Sequence, residues 1–255
     1  MISAYLQGGL GNQMFQIAAA ISLAEDNDAE AIFNIEHHDL PFQGRKCKSY
    51  LNSILRHVNF SPDYRISQVY REPFFHYSEI PYVPDVCIMG YFQSEKYFEN
   101  NKDLIQKTFS VDEDRDKLII EKYSNVLKLN PVGVHVRRGD YLSNAHPVCS
   151  RDYYDKAFKT FPENTVYLLF SDDIDWCKEN FKGKHFYFSD DNEDVVDLFL
   201  MTKCSHNIIA NSSFSWWGAW LNKNEDQRVI TPRNWFGDTM KHNTKDLRPS
   251  EWELI

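Results

Sequence analysis

Arg137 and Arg138 stand side by side in the run His135-Val136-Arg137-Arg138-Gly139-Asp140, at the end of the β-branched stretch Val132–Val136 that follows Pro131. A guanidinium group is planar, permanently charged and forked, so it suits phosphate oxygens. Asp140 lies close enough in sequence to orient one of the arginines through a salt bridge. An ordinary surface Arg–Asp pair is the plainer alternative. The RGD letters inside this run also match an adhesion signal, which an intracellular chain would not display. A second run, Asn211-Ser212-Ser213-Phe214-Ser215-Trp216-Trp217-Gly218, follows the apolar stretch Asn207–Ala210. Ser212 or Ser213 suits a helix N-cap. A helix start with free N–H groups and hydroxyls binds anions. Phe214 is placed to stack on a base, while Trp216 and Trp217 either floor a sugar or fill the core.

Two further turns follow strands. Gln7-Gly8-Gly9-Leu10-Gly11-Asn12-Gln13 links a strand to a helix. It lacks the Lys-Ser/Thr of a P-loop and has Met14 where a dinucleotide fingerprint wants a small residue. Gly9 and Gly11 either bring backbone, Asn12 and Gln13 close to a ligand or simply make the turn. In Phe170-Ser171-Asp172-Asp173, Ser171 or Asp172 is placed to bond a ribose or base. Equally, Asp172 or Asp173 starts the next helix. Asp190, in Phe188-Ser189-Asp190-Asp191, offers the same choice. No metal is expected. Asp173-Ile174-Asp175 and Asp112-Glu113-Asp114 have the letters of a cation motif but read as charge beside helices. His37, His38 and His146 lack ligand spacing. Two arginines and a helix start neutralise a diphosphate without a cation.

Alternating elements must position these turns. In the C-terminal half, strands are read at Val132–Val136, Thr165–Phe170, His185–Phe188, Asn207–Ala210 and Arg228–Thr231. Helices are read at Arg151–Phe161, Ile174–Phe181, Glu193–Cys204 and Ser213–Leu221. The N-terminal half has strands at Ile2–Leu6, Ala31–Ile35 and Val86–Phe92, and helices at Gln13–Ala24 and Glu113–Leu127. Residues 37–85, with five prolines, read as irregular. Alternation of this kind implies parallel sheets with helices on both faces. A division near residue 128 gives two α/β halves, 1–128 and 129–255, with a cleft between them. Ligands in such sheets sit beyond the carboxyl ends of the strands, where each of these turns falls.

Composition narrows the function. The 255 residues carry a net charge of −9, so a general nucleic-acid surface is absent. Five cysteines at wide spacings, with no CxxC pair, read as free thiols in a reducing compartment. The sequence holds no apolar run of membrane length and no signal-peptide pattern, so a soluble, cytoplasmic protein is expected.

Taken together, GGLGNQMFQ (Gly8–Gln16), VHVRRGDY (Val134–Tyr141), FSDD (Phe170–Asp173) and IIANSSFSWWGAWL (Ile208–Leu221) resemble the α-1,2-fucosyltransferases of glycosyltransferase family 11. The resemblance implies a GT-B-like fold of two Rossmann-like halves facing a cleft. It implies GDP-β-L-fucose as donor, a glycan acceptor such as a terminal β-galactoside, inversion, and no metal. It implies that the C-terminal half holds GDP and the N-terminal half meets the acceptor. By the same resemblance Arg137 binds the diphosphate with support from Arg138, while His135 and Asp140 shape the loop. Ser212, Ser213 and Phe214 match phosphate and nucleoside contacts, and Asn12 matches an asparagine near the reacting sugar. Fucosyl transfer builds negative charge on GDP as the anomeric bond breaks, and arginine stabilises that charge where it develops. The base that takes the acceptor proton is left open among Asp140, Glu36, His37 and His38; arginines beside Asp140 make it a poor base. A transferase for another nucleotide sugar and a catalytically silent binding module remain as alternatives.

Overall fold

The computed structural model describes residues 1–34, 47–62, 66–142, 146–190 and 192–255. Glu36, His37, His38 and Asp191 lie outside them. The chain forms two compact units, residues 1–111 with 242–249, and residues 112–241 with 250–255. The expected division near 128 differs from this, because helix α3 (Glu113–Lys122) packs on α7 (Asp194–Met201) and Asp116 pairs with Lys203 at 2.7 Å.

In the first unit, β1 (Ile2–Ala4), β3 (Val86–Met89) and β2 (Gln68–Arg71) form a parallel sheet in the order β1-β3-β2. Helix α1 (Leu10–Glu25) packs on β1 and buries Met14, Phe15, Ile17, Ala18 and Ala20. Helix α2 (Lys102–Thr108) adds Ile105 to the core. The expected strand at 31–35 is absent among the described residues. Ala31 and Phe33 make only single parallel bridges, to Ile2 and Phe60. Isolated apolar residues suffice for one bridge each but not for a ladder. Conversely, β2 falls within the segment read as irregular, because its edge position leaves Gln68, Val69 and Arg71 exposed.

The second unit holds a six-stranded parallel sheet. Its central strand β4 (Val132–Val136) is buried throughout, as a strand covered on both faces must be. On one side come β5 (Tyr167–Ser171) and β6 (Phe186–Phe188); on the other come β7 (His206–Ile208), β8 (Val229–Thr231) and β9 (Glu253–Leu254). Alternate residues of β4 face opposite ways. Val132, Val134 and Val136 join Tyr153, Tyr154, Leu169 and Phe181 in one core with α5 (Arg151–Phe158) and α6 (Ile174–Asn180). Side-chain caps start three helices: Asp112 for α3, Ser150 for α5 and Asp173 for α6. The expected helix at 113–127 is two, α3 and the short α4 (Ser124–Leu127).

Helix α8 (Ser213–Trp220) packs on α7. Of the two roles open to Trp216 and Trp217, the structure gives them core filling: both are fully buried, with ring centroids 5.1 Å apart. Trp217→Ala should cost about 3–5 kcal/mol of stability by loss of packing and cavity formation, measured by urea unfolding. A loss under about 1 kcal/mol would contradict this packing.

Candidate functional site

The chain runs from β4 outward to β5 and β6, then returns across β4 to β7 and β8. Strand order therefore reverses between β4 and β7. In open parallel sheets, ligands bind beyond the carboxyl ends of strands at such a switch point. The segment after β4 begins with Arg137, and the segment after β7 leads through Asn211 to α8.

Register places the charges. Val136 is paired with Ser171 across β4 and β5, so Arg137 and Asp172 leave the sheet side by side. Arg137 Nη1 meets Asp172 at 3.0 Å, and Nη2 meets Asp140 at 2.7 Å. Asp172 also accepts the Arg138 backbone N–H at 2.9 Å. Gly139 makes this approach possible, since a Cβ there would stand 2.5 Å from Asp172 Oδ2. Arg138 Nε donates to Asp173 at 3.0 Å, and its guanidinium lies 3.9 Å from the Trp176 ring centre. Asp173 serves twice, because it also caps α6. Arg137 is thus fixed between two carboxylates, one on each terminal nitrogen, and Arg138 by a single carboxylate contact and the Trp176 ring.

Tyr141 ties the two sides of the switch point together. Its hydroxyl donates to the Asn211 carbonyl at 3.0 Å, and its ring stacks on His146 with centroids 4.8 Å apart. The Arg137 guanidinium lies 5.5 Å from the same ring. Burial pushes the Tyr141 phenol up, so it stays a neutral donor. Asn211 is buried, and its amide donates to the carbonyls of Pro147 and Trp235 at 2.9 and 3.0 Å. It also accepts from the Cys149 thiol at 3.4 Å. The Asn211 side chain therefore braces the turn from inside.

The other expected site residues separate into groups. Ser212 occupies the N-cap position of α8 with extended backbone, but its hydroxyl makes no capping hydrogen bond. The Ser215 hydroxyl folds back on the carbonyls of Ala210 and Ser212 instead. Ser213 and Phe214 are half-buried at the helix start, and the Phe214 ring lies 5.6 Å from His135. His135 is buried, and its Nδ1 has no hydrogen-bond partner among the described residues. Burial, then the nearby Arg137 charge, holds its pKa down to about 3. It is neutral at physiological pH and packs against Phe214. Ser171 accepts from the Asp173 N–H at 2.9 Å and so shapes the β5 turn. Asp190 is ion-paired with Lys178. Asn12, Gly9 and Gly11 belong to the first unit: Gly9 occupies the N-cap position of α1, and Asn12 Oδ1 accepts from Gln93 at 2.7 Å. Among the described residues no group of three potential metal ligands occurs, and no helix is long and apolar enough to cross a membrane.

Sequence reasoning missed Tyr141 and Trp176 as parts of this site. Tyr141 was visible beside the arginines, but only the register of β4 and β7 turns it toward Asn211. Trp176 gave no signal of its own beyond its place in the first turn of α6.

Among solved structures, the chain resembles NodZ α-1,6-fucosyltransferase soaked with GDP-fucose, with a TM-score of 0.52 and 15% identity over 91% of this chain and 94% of that one. It also resembles E. coli ADP-heptose LPS heptosyltransferase II, with a TM-score of 0.57 and 11% identity over 100% and 89% of the two chains. With its two parallel sheets, it is an α/β protein of the GT-B type. The chain belongs to glycosyl transferase family 11, whose profile matches residues 1–255, and it is a glycosyltransferase. It is 32% identical to the O-antigen biosynthesis glycosyltransferase WbnK of Escherichia coli, over 97% of this chain and 98% of that protein. An α-1,2-colitosyltransferase of the same organism is also 32% identical, over 100% and 99%. Galactoside α-(1,2)-fucosyltransferase 2 of Oryctolagus cuniculus is 27% identical, over 84% of this chain and 65% of that protein.

Two outcomes follow from this geometry. Asp172→Asn should lower transfer about 10²-fold with the fold intact, because small misplacements of a binding group cost that much. Transfer within threefold of wild type would show that Asp172 does not position Arg137. For His135, the unfolded imidazole titrates near 6.5 and the folded one near 3, so the unfolded state takes the proton first. Its contribution to stability is full above pH 6.5 and declines as the pH falls toward 3. Urea stability should therefore fall more steeply between pH 6.5 and 5 in wild type than in His135→Asn; parallel curves would contradict the burial of a neutral ring.

Proposed function

We propose that the protein transfers L-fucose from GDP-β-L-fucose to a glycan hydroxyl, O2 of a terminal β-galactoside, with inversion and without a metal. The fixed arginine pair at the switch point carries this reading. Arg137 Nε and the terminal nitrogens of Arg138 have no partner among the described residues, so N–H donors remain for phosphate oxygens. Arg137 binds the diphosphate and stabilises the charge that grows on it as the anomeric bond breaks. The start of α8, with Ser212, Ser213 and Phe214, supplies further polar and aromatic contacts to the nucleotide. A relative named NodZ was soaked with GDP-fucose, and relatives named α-(1,2)-fucosyltransferase support the donor and the linkage. The nucleotide-sugar donor and the free thiols Cys87, Cys149, Cys177 and Cys204 fit a cytoplasmic setting.

A second donor sugar is favoured by one observation. A relative at 32% identity over the whole chain is named a colitosyltransferase. Parallel assays with GDP-fucose and GDP-colitose decide between them by the larger kcat/KM.

Calorimetric titration with GDP in EDTA should show micromolar binding, with UDP much weaker. Arg137→Ala should lose about 10²-fold or more in kcat. Near-normal turnover in that variant, or loss of GDP binding on adding EDTA, would overturn the assignment of Arg137 and the metal-free reading respectively.

A further inference from the structure

The first unit has its own carboxyl edge, and a carboxylate stands on it. Because β1, β3 and β2 run parallel and adjacent, the segments that follow them share one edge. These are the Gln7–Gly9 turn, residues 90–93, and Glu72. Glu72 follows β2 directly. Its Oε2 accepts the Tyr91 N–H at 2.6 Å and its Oε1 accepts the Phe92 N–H at 3.0 Å. Its stem crosses Gly90 so closely that a Cβ on Gly90 would lie 2.3 Å from Glu72 Cβ. The Gln7 amide donates to the Gly90 carbonyl at 3.4 Å, and Gln93 donates to Asn12 Oδ1 at 2.7 Å. Carboxylate and carboxamides are thus gathered where a parallel sheet receives ligands. Phe74, two residues on, and Tyr91 are 57% and 40% exposed. Such faces suit the apolar side of a sugar ring.

No cation pairs with Glu72 among the described residues. The titratable groups facing it are the Tyr70 and Tyr97 phenols, from β2 and from the segment after β3; Arg71 adjoins it in sequence, and its guanidinium lies on Met89. Burial raises the Glu72 pKa to about 7, and the two N–H donors only partly oppose this. A carboxylate so poised is about half ionised at neutral pH and takes up a proton there readily.

We propose that Glu72 is the general base that takes the proton of the acceptor hydroxyl. The acceptor oxygen forms its bond to the anomeric carbon, the anomeric C–O bond to the diphosphate breaks, and that electron pair leaves with GDP. The hydroxyl proton passes to a free lone pair of the Glu72 carboxylate, while the Tyr91 and Phe92 N–H groups hold the group still. The proposal rests on the donor reading above. It replaces Asp140, which is bound to Arg137, as the base.

The test uses the full chain, GDP-fucose and a β-galactoside acceptor. Wild-type kcat/KM should fall about tenfold per pH unit below pH 7. Glu72→Gln should lose 10²- to 10³-fold in transfer and the acid limb with it, at unchanged GDP affinity. Transfer within threefold of wild type in Glu72→Gln overturns the proposal. A flat wild-type profile from pH 5.5 to 8 does so too, whether or not the variant folds. Failure of the wild type to bind GDP overturns the donor reading, and the base falls with it.

Discussion

Arg137 is held between two carboxylates, and much of the second unit exists to keep them there. Asp172 is delivered by the β4–β5 register and fixed by the Arg138 N–H. Asp140 closes the other side from within the same loop. Gly139 is the space that lets the loop wrap onto Asp172, and any side chain would fill it. The loop is then anchored across the switch point by Tyr141 on Asn211, whose amide reaches Pro147 and Trp235. A guanidinium on a long flexible stem loses much conformational freedom on binding an anion. Here that freedom is removed during folding, so the donor of the proposed reaction would meet a cation already in place.

The arrangement has a second consequence, in charge. Asp140, Asp172 and Asp173 face two guanidiniums, so the cluster holds no excess of positive charge. In the proposed reaction, an incoming diphosphate would share Arg137 with a carboxylate or take its place. The two carboxylates are not equal in this. Asp172 also accepts a backbone N–H and is 25% exposed, against 39% for Asp140. Asp140 is the partner that yields at least cost. Charge balance of this kind would let the proposed phosphate site stand within a chain of net charge −9.

Sequence reached far into the second unit because its signals are local. Val132–Val136 was expected and found residue for residue, since a strand covered on both faces is a continuous apolar run. The helices there announce themselves by apolar spacing and by caps such as Ser150 and Asp173. Strands β2 and β9 carry no such signal. Strand β2 is largely exposed, and β9 is two residues held on β8 with help from the Arg228–Glu253 pair. The arginines were legible as chemistry, but their partners were not, because Asp172 and Trp176 come from a different strand and helix. Ser212 shows the reverse error: the right residue type at an N-cap, with a hydroxyl that does not cap.

The two units apply one architectural rule to opposite chemistry. Each is a parallel sheet whose turns gather at the carboxyl edge. In the second unit, that edge presents cations, restrained by carboxylates and by the Trp176 face. In the first, it presents a carboxylate without a cationic partner among the described residues, held by two backbone N–H groups. The difference decides what each group can do. A carboxylate paired with a guanidinium is engaged in holding it, so the aspartates of the second unit suit positioning. A half-buried carboxylate held only by neutral donors keeps its affinity for a proton near neutral pH. Glycosyl transfer needs both, one group to steady the negative charge that leaves and another to receive the proton that is released.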